Sequence, residues 1–152
     1  MSHQGADKRI LVGVDGSEAS VEALRHAQHL ATAVGAELDA VTCWEFPPIY
    51  EGFVEMEAGD FEKRARELLE ESVAKAFGAT VPENVVQHLL YGPPRQALID
   101  ASRKATMLVV GRRGHGGFPG LALGSVSSAC VAHAECPVLV VHAPHHGADQ
   151  LH

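Results

Sequence analysis

Two hydrophobic periods alternate along the chain. Arg9-Ile-Leu-Val-Gly-Val14 is an apolar run that breaks off at Asp15-Gly16-Ser17, where turn and helix-capping residues cluster, and it predicts a first strand. From Glu18 to Val34 the apolar positions Val21, Leu24, Ala27, Ala31 and Val34 recur at three- and four-residue intervals, and Gly35 stands where such a helix stops. Leu38 to Trp44 reads as a second strand, halted by Glu45, Phe46 and the pair Pro47-Pro48, which cannot continue a central ladder. Residues Phe46 to Gly59 show no clean period and are expected to form a mobile loop. Phe61, Ala65, Leu68, Leu69, Val73 and Ala76 then mark a long amphipathic helix closed by Gly78. Val85 to Tyr91 is strand-like, and Gly92-Pro93-Pro94 opens a helix carrying Ala97, Leu98 and Ala101, proline being suited to a first turn. Met107 to Val110 predicts a fourth strand, Ser125 to His133 a fourth helix, and Val138 to Val141, behind Pro137, a fifth strand.

Strand and helix therefore alternate strictly, which predicts an α/β domain built on a parallel sheet with helices on both faces. With 152 residues a single domain is expected over residues 9–142, flanked by a polar, flexible stretch at 1–8 and a disordered tail at 143–152 rich in His, Pro and Gly. A chain of this size buries roughly 70% of the surface it exposes when unfolded, enough for a full core. Ligands of such open sheets lie beyond the carboxyl ends of the strands, where the direction of winding reverses. If strands one and four are neighbours, the Asp15 loop and the loop after Val110 face each other there.

That second loop carries the chemistry. Gly111-Arg112-Arg113-Gly114 is followed after nine residues by Gly124-Ser125, between a strand and a helix. Gly111 and Gly114 remove two Cβ atoms where a backbone has to approach a phosphate, and Ser125 brings a hydroxyl and the amides of a helix N-terminus. The loop is neither of two better known phosphate loops. No lysine follows these glycines as a Walker loop requires, and a G-x-G-x-x-G reading from Gly114 meets Pro119 in place of its last glycine. An isolated G-x-x-G more often does no more than turn the chain.

Composition narrows the classes. The chain is 46% hydrophobic and 20% charged, and no apolar run approaches the ~18 residues of a membrane span. Met1 to Lys8 has no secretory signal pattern, so a cytoplasmic location is expected. Cys43, Cys130 and Cys136 form no C-x-x-C pair and are expected to be reduced, Cys43 and Cys130 in buried packing. The net charge of -7 argues against nucleic acid and repels a polyphosphate at long range, so Arg112, Arg113 and a divalent cation have to offset it. His142, His145, His146 and His152 invite a metal reading, but a Pro- and Gly-bearing tail fixes no ligand orientation. Ser17 lies in no nucleophile elbow and is expected to cap a helix.

Taken together these stretches resemble the universal stress proteins, whose nucleotide-binding members carry G-x2-G-x9-G-[ST]. Gly111, Gly114, Gly124 and Ser125 match that motif at full spacing, Ile10 to Ser17 is similar to the family's opening strand and loop, and Gly124 to Ser127 with Cys136 to Val141 to its close. The resemblance implies a Rossmann-like, three-layer sandwich of the adenine-nucleotide alpha hydrolase type, with strand order 3-2-1-4-5 and usually a homodimer. A hydrophobic last strand, Val138 to Val141, is the expected dimer edge. It further implies ATP with Mg2+ or Mn2+, Gly111 by the ribose, and the amides of Gly114, Gly124, Ser125 and Val126, with Ser127 beside them, around the phosphates. Asp15 falls at the nucleotide and its metal, and Cys43 pairs with adenine through its backbone. Val14 and Val41 are expected at the adenine slot and Arg113 near the phosphates, while His115, at a position often basic in the family, is expected to be a solvated loop histidine. Arg112 either clamps phosphate or points to solvent. The function so implied is nucleotide-dependent conformation or partner binding in stress response or signalling, the protein partner being unidentified. The alternatives are weak ATP hydrolysis or phosphoryl transfer, and sensing of AMP or a cyclic nucleotide.

Overall fold

Ser17 stops the first apolar run and starts the first helix. Its hydroxyl accepts the Ser20 N–H at 3.1 Å, which satisfies one of the amides a helix N-terminus leaves open. At the other end Gly35 takes φ 71°, and the Ala36 N–H reaches back to the Ala31 carbonyl at 2.8 Å, closing the helix in a left-handed cap. The computed structural model describes residues 8–46, 58–112 and 124–143. Within them the elements are β1 (Arg9–Gly13), α1 (Glu18–Val34), β2 (Glu37–Trp44), α2 (Ala58–Phe77), β3 (Val85–Tyr91), α3 (Pro94–Ser102), β4 (Met107–Gly111), α4 (Ser125–His133) and β5 (Val138–Val141). Boundaries shift slightly from the sequence reading. β1 ends one residue early, at Gly13, while α2 begins at Ala58, so Gly59 is helical and Asp60 stands in a first turn where a carboxylate suits the helix dipole. The rest of the expected loop before Ala58, apart from Phe46, lies outside the described residues, as do the expected flexible start up to Asp7 and the tail from Pro144.

All strand pairs are parallel, in the order β3-β2-β1-β4-β5, the order the resemblance implies. The chain winds outward from β1 to β3, then crosses back to β4, so β1 and β4 lie side by side at the reversal. Each strand sends alternate residues to opposite faces, and two separate cores result. Ile10, Val12, Leu38, Ala40 and Val109 meet α1 and α2 through Ala23, Leu24, Ala27, Leu69 and Val73. Leu11, Val41, Leu108 and Val110 meet Leu98 of α3 and Cys130 of α4. The first face is covered by helices of 17 and 20 residues, the second by two of nine residues each.

Two hydroxyls tie the ends of elements together. Ser102, fully enclosed, donates to the Ile99 carbonyl at 2.6 Å and accepts the Glu135 N–H at 2.9 Å, which pins the end of α3 to the turn before β5. Thr106 accepts the Arg9 N–H through its hydroxyl and donates its own N–H to the Arg9 carbonyl, joining the starts of β4 and β1.

Candidate functional site

At the reversal two turns leave the carboxyl ends of β1 and β4. In the first, the Asp15 carboxylate accepts the Ser17 N–H at 2.9 Å, an Asx turn that leads into α1 with Gly16 at φ 86°. Asp15 itself is exposed, and its Oδ2 has no hydrogen-bond partner among the described residues. In the second, the Gly124 N–H donates to the Arg112 carbonyl at 3.0 Å, and the Ser127 hydroxyl donates to the Gly111 carbonyl. These two bonds hold the N-terminus of α4 at the end of β4. Gly124 is the N-cap and has no side chain with which to close the helix, so the first-turn amides of Ser125, Val126 and Ser127 are left for an outside acceptor. Ser125 is exposed, Val126 half-buried and Ser127 buried.

Backbone geometry adds a third component. The ladder between β1 and β2 runs to the Val14 N–H, which donates to the Val41 carbonyl at 2.8 Å. The next bond in that series would join the Cys43 N–H to the Val14 carbonyl, but the Thr42 hydroxyl takes that carbonyl at 3.0 Å. Cys43 lies two residues beyond Val41, so its N–H and C=O face the same side, past the end of β1. A short donor-acceptor edge is thereby left beside the Asp15 turn, in the pattern that a purine edge can match. The Cys43 thiol is pushed up to about 11, first by burial and then by the charges of Cys130 and Glu45. It stays protonated at neutral pH, which leaves the backbone as what Cys43 can offer.

Several residues have duties the sequence did not disclose. A Cβ on Gly111 would stand 2.8 Å from the Ala19 Cβ, 3.0 Å from the Ala19 carbonyl carbon and 3.1 Å from the Ser20 nitrogen. Glycine here lets α1 cross the end of β4, a packing reason independent of any ligand. The Val14 and Val41 side chains lie in the core on opposite faces, 4% and 2% exposed, and they hold the end of β1 against β2. Arg112 donates its N–H to the Val141 carbonyl at 2.7 Å, and its guanidinium lies 3.3 Å from His142 Nδ1. Thr42 escaped notice because nothing in sequence says that its hydroxyl would take a strand carbonyl. Arg113, Gly114 and His115 lie outside the described residues.

Parallel strands, a reversal between β1 and β4 and an open helix N-terminus define a doubly wound α/β protein, a class whose ligands lie beyond the carboxyl ends of the strands. The model of the universal stress protein family matches residues 7–142, and the chain belongs to that family. A universal stress protein of Thermus aquaticus is 38% identical over 136 residues, covering 88% of this chain and 98% of that protein. One of Mycolicibacterium smegmatis is 35% identical over 136 residues, covering 87% of this chain and 45% of its own length. The chain thus spans about half the length of the mycobacterial relatives it matches. Among solved structures, a universal stress protein in complex with cAMP superposes with TM-score 0.69 at 28% identity, over 90% of this chain and 98% of that one. The Lactobacillus plantarum protein gives 0.64 at 26% identity, over 90% and 98%. No helix of the described residues is long and apolar enough to cross a membrane.

Proposed function

We propose that this chain binds an adenine nucleotide, ATP with Mg2+ or Mn2+, at the carboxyl edge between β1 and β4, and acts through binding rather than turnover. The observation that carries the reading is the convergence of three backbone features: the uncapped first turn of α4, the Asp15 turn and the open Cys43 edge. The first suits phosphate oxygens and the last a purine. Asp15 Oδ2 is then the group for the metal, and Gly111, Gly114 and Arg113 border the phosphates and ribose. The bound cAMP of the similar structure supports the adenine part of the ligand and keeps a cyclic nucleotide in competition with ATP. Turnover needs an in-line nucleophile and a base to prepare it, and Asp15, the carboxylate within the β1 turn, is half engaged by Ser17. Occupancy changes the surface offered to a protein partner or to a second copy. The second copy meets the edge strand β5, which among the described residues pairs with β4 alone and whose Val138, Leu139 and Val140 are half-buried. A cytoplasmic role in stress response or signalling fits this reading.

Calorimetric titration with Mg-ATP, AMP and cAMP tests the ligand. Gly114→Val is expected to weaken ATP at least tenfold while the unfolding midpoint stays near that of the parent, because a branched side chain would occupy phosphate space. Equal affinity in the variant would misplace the phosphates, and no binding of any of the three by folded protein would end the reading.

A further inference from the structure

Asp39 breaks the apolar run of β2. It projects to the α3/α4 face of the sheet, in register with Leu11 of β1 and Val86 of β3, and its side chain is 9% exposed. One carboxylate oxygen, Oδ2, accepts from Arg9 Nη1 at 3.2 Å. The other, Oδ1, is buried and has no hydrogen-bond partner among the described residues. A buried carboxylate oxygen left bare is costly and calls for an occupant. Oδ1 stands 3.8 Å from His88 Nε2 on β3, and Glu37, two residues before Asp39, reaches the same spot. Donor atoms of Glu37, Asp39 and His88 all lie within 4.8 Å of one another.

We propose that Glu37, Asp39 and His88 form a binding site for a first-row divalent cation, zinc above all, toward the amino end of the sheet and apart from the nucleotide crevice. Asp39 precedes Cys43 by four residues, about 13 Å of strand. Two carboxylates and one imidazole suit zinc and its neighbours better than calcium or magnesium, which prefer oxygen alone. Tetrahedral zinc needs its ligand atoms about 3.4 Å apart. The side chains of Glu37 and His88, 34% and 43% exposed, have room to close that distance and to leave a fourth position for water. Arg9 neutralises one charge of the pair, with Nη1 also 3.7 Å from Glu37 Oε2, and is itself half exposed and able to swing outward.

Zinc titration of the full chain, followed by calorimetry, tests the site against the many other histidines. The parent is expected to bind one Zn2+ whose affinity falls at least tenfold in His88→Gln, rises about tenfold in Arg9→Gln as a competing charge is removed, and is unchanged in the double variant His145→Gln/His146→Gln. Equal affinity in His88→Gln, a loss that follows the tail variant instead, or no stoichiometric binding by the parent would overturn the proposal. Should His88→Gln fail to fold, the NMR signals of the His88 ring in the parent decide. They shift on adding one equivalent of Zn2+ if the site exists and stay put if it does not.

Discussion

Gly111 shows how one missing Cβ serves the scaffold before it serves a ligand. Its neighbours are the backbone and Cβ of Ala19 and the Ser20 nitrogen, none of which can rotate away. Gly111→Ala is therefore expected to push α1 off β4 and to cost about 1–3 kcal/mol, the range for overpacking a tight site, read from urea unfolding. An unchanged midpoint would mean that the two elements separate freely. The G-x2-G-x9-G-S spacing was legible in sequence, but the packing duty of its first glycine was not, because Ala19 lies far away along the chain. Asp39 is the converse case. A carboxylate within an apolar strand was visible in the sequence, yet its meeting with His88 depends on the β2–β3 register, which no local pattern specifies.

Elements were the most legible level, since each is set by signals inside itself. Periods, short apolar runs and end signals located each of the nine described elements, and caps set α1 to the residue: Ser17 and Gly35 stand where both sequence and structure end the helix. Two substitutions separate the ends. Ser17→Ala removes the acceptor of the Ser20 N–H and should cost about 1 kcal/mol. Gly35→Ala meets nothing within 4 Å, so its cost, about 1–2 kcal/mol, comes from the left-handed backbone alone. Thermal unfolding of both variants checks this, and a loss in Gly35→Ala well above that in Ser17→Ala would point to an unseen contact at the C-terminus of α1. The start of α2 was missed by two residues, because Ala58-Gly59 carries no capping signal and only the dipole-suited Asp60 marks the turn.

At the scale of the whole molecule the three thiols share one layer, the α3/α4 face, and all are held above their usual range by burial. Cys43 and Cys130 rise from 9.0 to about 11, so unfolded chains lose these protons first as pH climbs. The thiols' contribution is intact below 9.0 and is lost progressively toward about 11, and Cys43→Ser should blunt that fall in stability across the window. A fall of the same depth in the variant would assign it to other groups. Sheet order came to the sequence reading by resemblance rather than by pattern, since alternation alone does not say on which side of β1 the fourth strand returns. That return gives Arg112 its position. This one residue grips the tip of the outermost strand with its N–H, while its carbonyl moors the cap of α4. On the proposed function, a ligand held by α4 and a second copy docked on β5 would share that one residue as their only spacer among the described residues.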